Sequence, residues 1–353
     1  MSKTYHNYSI LNEKISNFSA LISVVGLGYV GLPLCSKILK LGFNVNGVDI
    51  DKKKVNLLNK KKIYIPSVSN KSFTNYINKK FFIHNNFNCI KKSDIIIICV
   101  PTPLKKNKKP DLRPLKNTYE LLEKYLTFNQ LLIIESSTFP GCTNEIFYKK
   151  LKKKFKVGEN FFLGYSPERE DPGNKKFNIS NITKVTSGKS KNCAFLTNNF
   201  YNKITTTKPV SSIEVAEFTK LYENIFRSVN IALANESKVL ANNLKIDIDE
   251  VINAASTKPF GFSRFEPGPG VGGHCIPVDP FYLSWKVKEH GYHAKFIEIS
   301  GEINREMPSH IVEKSVEVLN EKKKPISGSK ILIMGVAYKK DIDDVRETPA
   351  LGI

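Results

Sequence analysis

The sequence predicts an α/β protein in three parts. These are an N-terminal parallel sheet with helices on both faces, a helical middle domain, and the start of a truncated C-terminal α/β domain. Three observations predict it. Short apolar, β-branched runs alternate with helix-spaced segments through the N-terminal part of the chain. Residues 211–244 contain neither Gly nor Pro and space their apolar residues as a helix does. "SKILIMGVAYKK" at 329–340 then reads as a new strand and turn, and the chain ends at Ile353, too soon to complete such a unit. A lone strand cannot bury its own apolar faces, so a third domain cut short is expected. The domain boundaries implied are 1–205, 206–305 and 306–353.

Taken in order, "LISVVG" (21–26) reads as a buried strand ending in glycine, followed by a helix that Gly42 stops. "FNVNGVDID" (43–51) is a second strand ending in acids, and "FFIH" (81–84), "DIIIICV" (94–100), "LLIIESS" (131–137), "FFLGYS" (161–166) and "KVTSG" (184–188) follow. Strands separated by helices in this way indicate a parallel sheet. The segment 211–244 is one long helix or two in tandem.

Composition narrows the function classes. Of 353 residues, 41% are apolar and 25% charged, as in ordinary globular proteins. No apolar run approaches the length of a membrane span, and the polar N-terminus lacks the sections of a signal peptide. A cytoplasmic protein with no membrane insertion is expected. The net charge of +21 raises the question of nucleic acid. The basic residues are nearly all lysine, with arginine only at 113, 169, 227, 264, 305 and 346, and they accompany a heavy load of Asn and Ile. That is the residue bias of an AT-rich coding sequence, so no nucleic-acid partner is expected. The six cysteines show no CxxC pair and no metal-ligand spacing, so no metal is expected. Cys99, inside an apolar run, reads as a buried small hydrophobe.

"GLGYVG" supplies Gly26, Gly28 and Gly31 between a strand and a helix, with Tyr29 and Val30 inside the turn. Such glycines permit a tight turn and close approach to a pyrophosphate on the helix N-terminus. Asp49 ends the next strand, where a ribose 2′-hydroxyl partner belongs, and an acid there favours NAD over NADP. A Rossmann-like NAD-binding domain is therefore expected. In "PGPGVGGHCIPVDP" (267–280), Gly272 and Gly273 allow close backbone approach around Cys275. Asp279 reads as an N-cap with Pro280 as first helical residue and Gly291 as the stop. Cys275 then lies just before a helix start, where the dipole favours a thiolate. Lys220 and Asn224, four apart, share a helix face with Glu217, which reads as a polar stripe open to solvent. Glu168 in "YSPERE" follows a strand end and is a candidate base or substrate anchor.

Together these motifs resemble the UDP-glucose/GDP-mannose dehydrogenase family. The matches, in family order over nearly the whole chain, are "GLGYVGLP", "CVPTP", "ESSTFPGCT", "YSPERE", "EFTKLYENIFRSVN", "GGHCIPVDP" and "GVAYKKDIDDVRETP". The resemblance implies NAD-dependent four-electron oxidation of a UDP-sugar C6 alcohol to the uronate, through a thiohemiacetal and thioester on Cys275. It makes Lys220 and Asn224 the oxyanion partners, Asp279 an aid to deprotonation, Glu168 the hydrolytic base, and Thr138 the residue that positions the water network. On the NAD side it implies Gly26, Gly28, Gly31, Asp49, Lys54, Thr102, Thr138 and Arg346, with Tyr29 and Val30. On the sugar-nucleotide side it implies Glu168, Arg169, Lys220, Asn224, Gly268, Gly270, Gly272, Tyr338 and Lys339. A homodimer through the middle domain and a role in surface polysaccharide synthesis also follow from the resemblance alone.

Departures bear on substrate. Where UDP-glucose enzymes have a lysine in GGxCxPKD, this chain has Val278, and it has Pro172 where they carry a second acid. "GGHCIPVDPFYLSWK", "TKPFGF" and "EINREMP" instead resemble the branch that oxidises UDP-N-acetylhexosamines, with the UDP-N-acetylglucosamine 6-dehydrogenases nearest and the mannosamine enzymes next. Lys258 or Arg264 is a loose match to a family arginine that reaches a neighbouring subunit's substrate. The alternatives are the mannosamine or glucose enzyme, another two-domain dehydrogenase, and an inactive fragment that binds NAD only.

Overall fold

The computed structural model describes residues 3–68, 70–105, 109–171, 174, 176–273, 276–339 and 344–353. It contains strands β1 (Leu21–Val25), β2 (Asn44–Val48), β3 (Phe81–His84), β4 (Ile95–Ile98), β5 (Leu131–Ile134), β6 (Phe162–Tyr165), β7 (Lys184–Gly188) and β8 (Thr207–Pro209). The helices are α1 (Lys3–Ser16), α2 (Gly31–Lys40), α3 (Lys52–Asn59), α4 (Asn70–Thr74), α5 (Arg113–Glu123), α6 (Lys149–Leu151), α7 (Lys191–Asn202), α8 (Ile213–Leu244), α9 (Ile248–Ala255), α10 (Asp279–Lys288) and α11 (Lys295–Glu321). Two compact units divide the chain: residues 1–103 with 111–220, and residues 104–110 with 221–353.

The first unit is built on one sheet of order β3-β2-β1-β4-β5-β6-β7-β8. All pairings are parallel except β6 with β7, which run antiparallel with Gly164 opposite Gly188 and Tyr165 opposite Ser187. That reversal departs from the all-parallel expectation, and β8 is a strand the sequence did not reveal, being three residues long and polar at Lys208. Order reverses between β1 and β4, the crevice where such sheets bind ligands at their carboxyl ends. The four isoleucines of β4 are each 0% exposed, because a central parallel strand is covered on both faces. Each such burial contributes roughly 1.5–3 kcal/mol. Ile95 and Ile97 join Ile22, Val24, Val45, Leu131 and Ile133 in a core with Leu11 and Ile15 of α1, Leu34 and Ile38 of α2, and Leu196 and Phe200 of α7.

The second unit is helical. α8 is one unbroken helix of 32 residues, which settles the one-or-two alternative. In α10 and α11, Phe281, Tyr282, Leu283, Ile297 and Met307 are buried. A Cβ on Gly301 would run into the Phe281 ring, so glycine sets how closely α11 approaches α10. Ala241 packs with Ile248 and Ile252 of α9. Along α8, Tyr222, Phe226, Leu233, Leu240 and Leu244 are exposed. Intervals of four and seven residues align them as one apolar stripe. The expected strand at 329–340 does not form among the described residues. Ile331, Leu332 and Met334 are 64%, 84% and 88% exposed. Among the described residues no strand pairs with this β-prone run, which leaves its apolar side chains open.

Candidate active site

In the first unit, β1 runs into Gly26, whose φ of +95° is open to glycine and whose added Cβ would lie 2.5 Å from the Cys99 carbonyl oxygen. A Cβ on Gly31 would strike the Gly26 carbonyl, whereas one on Gly28 would meet nothing within 4 Å. Two glycines therefore close the turn and the third leaves free space. Val30, at the cap position of α2, makes no side-chain capping bond, which leaves the helix N-terminus for an anion. Tyr29 is partly exposed beside it, and Cys99, just after β4, is half-buried and packs against the core. Thr102 is 3% exposed. Asp49, just beyond β2, accepts from the Leu27 amide at 2.9 Å and from the Asp51 amide at 2.9 Å, and Lys54 Nζ lies 3.6 Å from it. Free space over a glycine turn, an uncapped helix and a fixed acid together fit a bound NAD.

At the carboxyl ends of β5 and β6 a buried charge cluster forms around Lys184. Its Nζ is 3.2 Å from Glu168 Oε2, 3.3 Å from Glu135 Oε1 and 3.4 Å from the Pro167 carbonyl oxygen. Glu168 Oε1 accepts from the amides of Arg169 at 2.7 Å and Glu170 at 2.6 Å. Burial works to raise the Glu168 carboxyl, but Lys184, the Glu170 amide and Lys220 outweigh it and hold it below the ordinary value. Burial instead dominates at Glu135 and pushes it up to about 7, despite Lys184. The Tyr201 hydroxyl donates to Glu135 Oε1, and Glu135 Oε2 has no protein partner. Burial would depress the Lys184 ammonium, and the Glu135 and Glu168 carboxylates raise it instead. Arg169 donates to the Thr183 carbonyl oxygen.

Thr138 is 1% exposed and donates to Glu217 Oε1 at 3.2 Å. Glu217 also accepts from the Gly141 amide at 2.6 Å, the Thr143 amide at 2.9 Å and the Thr143 hydroxyl at 2.7 Å. It is 0% exposed, so the solvated stripe expected on this face of α8 is corrected. Four donors from the loop after β5 draw this carboxylate inside. Lys220, one turn on, is 7% exposed.

In the second unit, Asn224 Nδ2 donates to Asp279 Oδ2 at 2.6 Å. Asp279 is not the N-cap expected from sequence. Val278 holds that position and Asp279 is the first residue of α10, buried to 1% exposure, because its carboxylate turns to Asn224 of α8. α10 ends at Lys288, with Gly291 at φ +72° just beyond. Cys275 and its neighbour His274 lie outside the described residues, as does Pro172. The glycine loop before them is tightly held. Gly268 N donates to Asn235 Oδ1 at 2.8 Å, Asn235 Nδ2 to Asn304 Oδ1 at 2.9 Å, and Asn304 Nδ2 to the Ser228 carbonyl oxygen at 3.1 Å. Gly270, at φ +113°, would place a Cβ 2.5 Å from the Asn304 carbonyl oxygen, and Gly272 and Gly273 lie against Tyr338. Gly273 N donates to the Arg346 carbonyl oxygen at 3.0 Å. The Arg346 guanidinium pairs with Asp344, at 2.6 Å from NH2. Lys339 follows Tyr338 and is half-buried. Arg264 donates to Asn253 at 2.8 Å, and Lys258 sits 5.1 Å from the Phe260 ring centroid.

Sequence reasoning missed three residues of these arrangements: Glu135, Lys184 and Glu217. Glu135 opens the quoted "ESSTFPGCT" and Lys184 opens the strand "KVTSG". A charged residue at the edge of an otherwise apolar strand was the available signal.

A switch-point glycine turn with a fixed acid, on a sheet of this order, defines a dinucleotide-binding domain of the NAD type. The family models for the UDP-glucose/GDP-mannose dehydrogenase NAD binding domain and central domain match residues 20–205 and 214–306. The chain belongs to this family. It is 37% identical to a UDP-N-acetyl-D-glucosamine 6-dehydrogenase of Pseudomonas aeruginosa, over 94% of this chain and 78% of that one. It is 38% identical to a UDP-N-acetyl-D-mannosamine dehydrogenase of Methanocaldococcus jannaschii, over 93% and 74%. Among solved structures it is similar to the UDP-D-ManNAc dehydrogenase of Pyrococcus horikoshii, with a TM-score of 0.85 and 31% identity over 94% of this chain and 79% of that one.

Proposed function

We propose that the chain oxidises the C6 alcohol of a UDP-N-acetylhexosamine, preferably UDP-N-acetylglucosamine, to the carboxylate. The balance is one alcohol, one water and two NAD to one carboxylate, two NADH and three protons. When bound, NAD accepts the hydride that leaves C6. Asp279, through a water, receives the hydroxyl proton as the first hydride departs. The Cys275 thiolate then adds to the aldehyde carbon, and Lys220 and Asn224 donate to the oxygen that becomes negative. Loss of a second hydride leaves a thioester. Glu168 takes a proton from the attacking water, the C–S bond breaks, and the thiolate returns. Thr138 orients that water, Gly268, Gly270 and Gly272 cover the sugar, and Arg169, Tyr338 and Lys339 contact the sugar nucleotide. Gly26, Gly28, Tyr29, Val30, Gly31, Asp49, Lys54, Thr102 and Arg346 serve the cofactor.

The observation that carries this reading is the buried Asn224–Asp279 pair, four residues beyond Cys275. A desolvated carboxylate oriented by an amide is what a proton-accepting group beside a reacting alcohol requires. Relatives named for glucosamine and for mannosamine substrates both support the acetylated-sugar class. The exposed stripe from Tyr222 to Leu244 supports a homodimer through α8. Among the described residues no helix is long and apolar enough to cross a membrane. A cytoplasmic site of action and a role in building an acidic surface polysaccharide belong to the same reading.

The test is NADH formed per sugar consumed, with UDP-N-acetylglucosamine, UDP-N-acetylmannosamine and UDP-glucose in parallel. Two NADH per UDP-N-acetylglucosamine, formed fastest of the three, is the expected result. The same ratio with the mannosamine sugar favoured would reassign the epimer, and one NADH per sugar would exclude the thioester route.

A further inference from the structure

We propose that Lys184 is a positioning residue for Glu168: it bridges Glu168 to Glu135 and fixes the Glu168 carboxylate as an ionised base for the step in which water attacks. The inference rests on the reading of Glu168 as hydrolytic base. Lys184 opens β7 with its side chain 5% exposed, and its ammonium lies within 3.3 Å of both carboxylates. The two acids differ in depth. Glu135 is 0% exposed at its side chain and Glu168 13%, so Glu135 anchors the lysine from inside and Glu168 presents its edge outward.

Glu168 is held at both oxygens, by two amides on Oε1 and by Lys184 on Oε2. A carboxylate oxygen offers two lone-pair sites, so Oε1 is filled and one site on Oε2 is left for a water. A cavity of about 10 Å³ is lined by Glu168, Glu170, Thr183 and Lys184, close to the least volume that holds one water. The Lys184 ammonium is shared by two buried acids and Lys220 adds its charge on the Glu168 side, so the proton stays on the deeper acid. The upward displacement of Glu135 and the downward one of Glu168 agree with that division. The other titratable groups facing the cluster are Cys99 after β4, Tyr201 on α7, Glu170 in the same loop as Glu168, and Lys220 on α8.

The experiment is rapid-mixing of NAD and UDP-N-acetylglucosamine with full-length Lys184→Met, Lys184→Arg and Glu168→Gln proteins, followed by intact-mass analysis. Lys184→Met should release a burst of two NADH per site at the wild-type rate, then turn over roughly 10²-fold slower. The sugar should accumulate on the enzyme as its thioester, and the acid limb of the steady-state pH profile should move to higher pH. Lys184→Arg keeps the charge and should recover part of the loss. Because Lys184→Met leaves two buried acids unpaired, the pair Lys184→Met with Glu135→Gln is run beside it and should show the same burst and slow turnover.

Wild-type turnover and an unmoved pH limb in the double variant and in Lys184→Arg would overturn the proposal. If Glu168→Gln hydrolyses normally, the base assignment itself fails. If Glu168→Gln traps the thioester while the Lys184 variants do not, only the role of Lys184 fails.

Discussion

Asn224 and Asp279, fifty-five positions apart in sequence, are joined by a 2.6 Å hydrogen bond inside the helical unit, where both side chains are at most 4% exposed. The amide fixes which carboxylate oxygen of Asp279 remains for other partners. Asp279→Asn keeps the volume and removes the charge. Its first NADH burst should slow by roughly 10²–10⁴ if the carboxylate takes the alcohol proton. Asn224→Ala leaves Asp279 Oδ2 without that donor and should cost about 1–3 kcal/mol in a denaturant titration.

In the proposed reading, the three glycines of the turn after β1 separate binding from folding. Gly28→Ala adds a methyl group into open space, so its melting temperature should match the wild type while NAD binding, measured calorimetrically, weakens at least roughly tenfold. Gly31→Ala meets the Gly26 carbonyl and should cost about 1–3 kcal/mol of stability whether or not NAD is present.

In the proposed reading, Asp49 sets cofactor choice by charge. Asp49→Asn retains an oxygen that can accept from the Leu27 amide, but no longer repels a 2′-phosphate. The ratio of kcat/KM for NAD over NADP should fall by roughly tenfold or more, about 1.4 kcal/mol.

Burial raises Glu135 to about 7 in the folded protein, above the ordinary value of 4.5. Between those values the unfolded chain loses its proton while the folded chain keeps it, so this group favours folding less as pH climbs from 4.5 through 7. Melting temperatures measured across that window should decline less steeply for Glu135→Gln than for the wild type.

Much of this arrangement was legible beforehand because local chemistry dictated it. Isoleucine runs fix buried strands, "GLGYVG" fixes a turn, and the Gly- and Pro-free segment from 211 to 244 fixes α8. What escaped the sequence depended on contacts far apart in the chain. Glu217 looked solvated until four donors from residues 138–143 were seen to surround it. The Asp279 cap was a sound local reading that a partner on another helix overrode. The strand expected at 329–340 had the right residues, but among the described residues it has no neighbour to pair with.

The reversed direction of β7 carries a geometric consequence. In a sheet whose strands all point one way, strand ends gather at one rim and strand beginnings at the other. Inverting β7 beside β6 brings its opening residue, Lys184, to the rim where β4, β5 and β6 finish. A seventh strand of the usual polarity would have delivered that ammonium to the opposite rim, some four residue steps or roughly 13 Å away. One change of strand direction thus lets the start of a strand stand where loops ordinarily supply the chemistry.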